Sequence, residues 1–152
     1  MATINERIAY LRRAEAGWLA YQELLDTLTD EDLERPDTVG FWSGRDLIAH
    51  IACWERHSAW LLDQWEVGRE QLFSYDFDQS DTAKWDEWNE EQVTPFRSLL
   101  LDDVKQFAIE THFSAMARVA TSEQVTEQFV SGMTWSHYEW HRDDILGIKD
   151  GS

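Results

Sequence analysis

Three histidines in this sequence are spaced in a way that carries chemical meaning: His50 within LIAHIACWE, and His137 and His141, four residues apart, within SHYEWHRDD. Residues four apart on a helix share one face, with Cβ atoms roughly 5–6 Å apart, so two imidazoles at that spacing can converge on one ion. A further ligand must then come from a facing helix. His50 is placed to supply it, because it falls on the apolar stripe of a strongly amphipathic segment. Three neutral imidazoles around a divalent ion leave coordination positions open to water or substrate, which is the catalytic arrangement and not the closed structural one. Such an ion would polarise a substrate or activate water.

The neighbouring residues carry weaker signals. His57 lies seven residues after His50 and shares its face, and His112 follows Thr111 on a later helix; a partly exposed histidine and a surface histidine are the expected readings. Cys53, three residues after His50, is expected to be a buried free thiol, with a nucleophile or extra ligand as the alternative. Asp46, Glu55, Asp143 and Asp144 sit near the three histidines and could orient imidazole N–H groups, although solvated charge or helix capping is the expected role of each. Trp42, Trp54, Trp85, Trp88, Trp135 and Trp140 would serve core packing or wall an apolar ligand pocket.

The elements that must position these residues are helical. Ile8, Leu11, Ala14, Trp18, Tyr21, Leu24, Leu25 and Leu28 recur at three and four, which predicts a first helix over 4–28. Thr29 and Asp32 then form a capping-box pair with Leu28 and Leu33 as its staple, and the chain loosens through Arg35, Pro36 and Asp37. Ser43 and Asp46 repeat the box, with Trp42 against Leu47, and start a second long helix that ends near Gly68. Its buried stripe is predicted to hold Leu47, His50, Ile51, Trp54, Ser58, Leu61 and Trp65.

The stretch 69–81, with Phe73, Tyr75 and Phe77 among Asp and Ser, lacks a helical period and reads as a loop over one end. From Thr82 a third helix runs through Trp85, Trp88, Asn89 and Gln92, is broken near Pro95, and resumes over 100–120. A last helix is predicted over 134–146. Strand signals are almost absent, so the pattern is that of an all-α, up-down four-helix bundle.

Length and charge narrow the function. At 152 residues the chain is one domain with a real core. Its 30 Asp and Glu against 13 Lys and Arg give −17, and no basic patch extends beyond Arg12 and Arg13, so neither nucleic acid nor a membrane surface is an expected partner. No apolar run approaches the roughly 20 residues needed to span a bilayer. A lone cysteine excludes an internal disulfide, and the N-terminus lacks a signal peptide's apolar core, so a cytoplasmic protein is expected.

Three motifs, GFWSGRDLIAHIACWERH at 40–57, LLDTLTDEDLERP at 24–36 and WSHYEWHRDDI at 135–145, resemble the DinB-like superfamily of YfiT-type four-helix-bundle metalloproteins. The likeness runs in order over nearly the whole chain. It implies a divalent ion, nickel or zinc first and manganese or iron after them, held by His50, His137 and His141. It also implies a homodimer and, among members that are enzymes, transfer or hydrolysis on a small electrophile with a low-molecular-weight thiol. The HYEWHRDDI ending and the WNEEQ segment look closer to the ClbS/DfsB branch, which opens an electrophilic cyclopropane in a genotoxin and is thought to need no metal. A non-catalytic small-molecule sequestration module is the further alternative, motivated by the 9 tryptophans.

Overall fold

The computed structural model describes residues 1–69 and 80–150, and over them the chain is all-helical, with one isolated antiparallel bridge between Val39 and Trp42. Of the predicted loop over 69–81, residues 70–79, with Phe73, Tyr75 and Phe77, lie outside the described residues.

Helix α1, Ile4–Asp26, starts where the Thr3 hydroxyl accepts from the Glu6 N–H, and buries Ala14, Trp18 and Tyr21. Both predicted capping boxes form. Thr29 and Asp32 open the short α2, Asp30–Glu34, and seat Leu33 in the core. Between α2 and the next helix, Gly40 takes φ +60°, a left-handed value that costs glycine nothing, and the turn delivers Trp42.

Ser43 and Asp46 then start α3, Gly44–Glu66: the Ser43 hydroxyl accepts from the Asp46 N–H and the Asp46 carboxylate accepts from the Ser43 N–H. Gly44 lets neighbours close in on this end, since a Cβ there would meet Leu33 Cδ2 at 2.8 Å. Leu47, His50, Ile51, Ser58 and Leu61 are buried as predicted, but so are Ile48, Ala49, Ala52, Cys53, Glu55 and Leu62. α3 is therefore a central helix covered on most sides, not an outer helix with one wet face.

Helix α4, Thr82–Val93, gives way at Pro95 to a 3₁₀ turn, Thr94–Ser98, and the chain resumes as α5, Leu101–Thr121, which packs along α3. The predicted break near Pro95 is present. The C-terminal region differs from expectation. In place of one helix over 134–146 it forms α6, Glu127–Met133, α7, Trp135–Trp140, and α8, Arg142–Asp150. The cause is local: the Thr134 hydroxyl donates to the Val130 carbonyl at 2.6 Å and closes α6, while its own backbone leaves the helical region at φ −129°, ψ −102°. His141, at φ −92°, ψ 2°, marks the second joint. Among the described residues no helix is long and apolar enough to cross a membrane.

Candidate metal centre

The three sequence-predicted histidines meet. His50 projects from α3, His137 from α7, and His141 from the joint between α7 and α8. Nε2 of His137 lies 3.3 Å from Nε2 of His50 and 3.2 Å from Nε2 of His141. The three rings stand nearly edge-on to one another, with centroids 4.8 to 5.2 Å apart, and His50 is buried while the other two are half-buried. This is a group that could hold a metal ion.

Two physical tests support that fit. The first is distance: tetrahedral coordination at about 2.0–2.1 Å per nitrogen separates two ligand nitrogens by about 3.3–3.4 Å, close to both spacings seen here. The second is the proton inventory. A neutral imidazole carries one N–H. If the proton of His137 sits on Nε2, that single donor faces two acceptors; if it sits on Nδ1, its bare lone pair faces the other two nitrogens. A cation at the centre of the three would satisfy every lone pair together.

Electrostatics keep the rings in the form a ligand requires. Burial, reinforced by the neighbouring His137 and His141, pushes His50 down to about 2. Burial and then His141 push His137 down to about 3. Both are therefore neutral at ordinary pH.

His141 is oriented from outside. Its Nδ1–H donates to the Asp144 carboxylate at 2.9 Å, which leaves Nε2 as the lone-pair nitrogen. Asp144 thus orients an imidazole, where solvated charge or capping was expected; it sits three residues after His141, one turn along the helix. Trp42 covers His50, with ring centroids 5.0 Å apart, and its indole N–H donates to Glu90 at 2.8 Å. Glu90 also accepts from the Arg97 guanidinium, whose Nε donates to Asp46 at 3.2 Å. The Asp46 carboxylate is accordingly a cap, as expected, and also a tether to the 3₁₀ turn.

The remaining candidates stay outside the triad. Cys53 is a buried free thiol, pushed up to about 11 by burial, with Sγ directed at the Gln92 carbonyl. His57 is half-buried beside Trp60 and Trp88, and burial followed by the Arg56 charge lowers its pKa. Trp54 of α3 gathers with Trp85 and Trp88 of α4, Trp54 and Trp88 being 4.6 Å apart. Trp135 packs against Gly17 under the Arg13 guanidinium, while Trp140 is 81% exposed and joins neither core nor wall.

Two further expectations fail. His112 is 2% exposed instead of lying on the surface, and Glu55 is completely buried instead of solvated. They bond to each other at 2.7 Å, and Tyr138, unnoticed in the sequence, donates its hydroxyl to the same Glu55 oxygen. The signal was present: Ile51, Glu55, Ser58 and Leu62 step along one face of α3, and Ala108, His112, Ala115 and Val119 along one face of α5, at helical spacing.

No family model, curated protein or solved structure matches the chain.

Proposed function

We propose that this protein is a DinB-like, four-helix-bundle metalloprotein that holds a divalent ion, nickel or zinc before manganese or iron, at His50, His137 and His141. On this reading it acts on a small electrophile as a thiol transferase or hydrolase. The observation that carries the reading is the meeting of three imidazole nitrogens at 3.2 and 3.3 Å, a spacing suited to a common ion. When bound, the ion supplies Lewis acidity that lowers the pKa of a thiol or water and polarises the electrophile.

The chain's own residues supply orientation. Asp144 keeps the proton of His141 on Nδ1, and Trp42 shields His50 from one side. With three ligands drawn from the protein, positions remain for a nucleophile and a substrate. The thiol sulfur or water oxygen forms the new bond to the electrophilic carbon, the leaving group departs with the bonding pair, and the nucleophile's proton passes to solvent.

The test is consumption of a low-molecular-weight thiol by the metal-loaded protein across a panel of small electrophiles. Turnover is expected in the native sequence and should be lost in His141→Ala. Turnover that survives both chelation and His141→Ala would contradict the metal-dependent reading and favour a ClbS/DfsB-like, metal-independent opening of the electrophile. The layer of Trp54, Trp85 and Trp88 between α3 and α4 favours a second reading, sequestration of an apolar molecule without turnover. Quenching of tryptophan fluorescence by an electrophile that is bound and released unchanged would select it.

A further inference from the structure

The two histidines of the C-terminal region are held differently. His141 has Asp144 on its Nδ1, whereas the buried Nδ1 of His137 has no hydrogen-bond partner among the described residues. Ligating histidines ordinarily have their second nitrogen fixed by an outer partner. His137 must take its orientation from the seat of its helix.

That helix cannot seat itself. α7 has six residues, lacks a side-chain N-cap, and is separated from its neighbours by joints at Thr134 and His141. Helices this short are unstable alone, because the cost of nucleation is spread over too few hydrogen bonds. Its placement must come from tertiary contacts, and beside the approach of His137 to His50 a polar contact with α3 is made by Tyr138, the residue next to His137. The Tyr138 hydroxyl donates to Glu55 Oε1, which also accepts from His112 Nδ1–H at 2.7 Å. Trp18 stacks on His112 at 3.8 Å and 6°, and Tyr21 stacks on Tyr138 at 5.0 Å and 12°. Four helices therefore lock at one point.

Glu55 and His50 lie five residues apart on the single rigid α3, about 7.5 Å along its axis at about 1.5 Å per residue. α7 consequently meets α3 twice, through Tyr138 on Glu55 and through His137 against His50. α1 supports the other side of α7, through Gly17 against Trp135 and Tyr21 against Tyr138, and the two contacts with α3 set which face of α7 is turned towards His50.

We propose that the Glu55–His112–Tyr138 cluster is the positioning layer of the metal centre, holding α7 so that His137 faces His50 and His141. This inference rests on the three-histidine reading given above. Glu55, His112 and Tyr138 are positioning residues and touch no substrate.

Cobalt(II) alone is the probe, added to metal-free native protein, Tyr138→Phe, Glu55→Leu and Glu55→Gln, with folding checked by circular dichroism. Tyr138→Phe and Glu55→Leu are expected to weaken cobalt binding about 10- to 100-fold, the usual effect of losing an outer partner, and to alter the visible absorption of the bound ion. Glu55→Gln keeps the Oε1 acceptor for both donors and should restore native affinity and spectrum. A purely structural cluster would lower the melting temperature and leave affinity and spectrum unchanged in the folded variants, which would overturn the inference. Failure of both Tyr138→Phe and Glu55→Leu to fold would also overturn it, by making the cluster a folding element. Native protein that does not bind cobalt contradicts the metal centre itself; native binding with unaltered variants contradicts only the positioning layer.

Discussion

Two buried polar clusters lie side by side in this molecule, one built on Glu55 and one on three histidines, and they differ in what faces what. Around Glu55, each short contact joins a donor to an acceptor, the Tyr138 hydroxyl and the His112 N–H both pointing at Oε1, while Oε2 is buried without a hydrogen-bond partner among the described residues. Around His50, three imidazole nitrogens converge at 3.2 and 3.3 Å, and either tautomer of His137 leaves at least one lone pair facing another nitrogen's lone pair or sharing a single donor. Buried polar groups that are matched hold a fold together. Buried nitrogens that converge around one point at this spacing suit a cation, and that convergence, more than histidine content, distinguishes a candidate ligand set from a structural network.

The contrast has consequences that can be measured, beginning with the largest. Zinc or nickel at about 1,000 times its Kd is expected to stabilise the native protein by about 4 kcal/mol, because the ion binds the folded centre selectively. The same addition should leave His137→Ala nearly unmoved. Equal stabilisation of both, followed by thermal denaturation, would erase the distinction between the clusters.

Replacing Glu55 by Ala acts on the matched cluster and should cost about 3 kcal/mol, since two buried donors lose their acceptor. Urea denaturation reads this directly. A loss as small as that of a surface substitution would show that the matched cluster is not a structural anchor.

The metal-free protein should lose stability on acidification. His50 and His137 are depressed in the folded state to about 2 and about 3, so the unfolded chain binds more protons below its ordinary histidine range. Their contribution is complete above about pH 6.5 and declines towards pH 3, with a slope approaching about 1.4 kcal/mol per pH unit for each group. His50→Ala should flatten that slope. Denaturation curves across the window test it, and an unchanged slope in the variant would assign the acid sensitivity elsewhere.

Asp144→Asn is the mildest perturbation. It should weaken metal binding about 10-fold by loosening the His141 ring while leaving the fold intact. Competition with a chromophoric chelator resolves a change of that size, and undiminished affinity would remove Asp144 from the centre.

Much of this arrangement was legible in the sequence because it depends on short-range rules. The spacing of His137 and His141, the stripe position of His50, the capping boxes at Thr29 and Ser43, and the break at Pro95 each follow from residues within a few positions of one another. What escaped is long-range. Glu55 reads as a solvated carboxylate until His112 and Tyr138 are brought to it from 57 and 83 residues away. Asp144 reads as helix-start charge until the joint at His141 turns that ring towards it. The division of the C-terminal region into α6, α7 and α8 follows from the side chain of Thr134 capturing a carbonyl, an effect that hydrophobic periodicity does not register.

The most direct measurement is elemental analysis of protein purified without a metal-affinity column, with His137→Ala and His141→Ala alongside. Near-stoichiometric divalent metal in the native protein, lost in both variants, is the expected result. Absence of metal from the native protein, persisting after titration with nickel and zinc, would contradict the three-histidine centre.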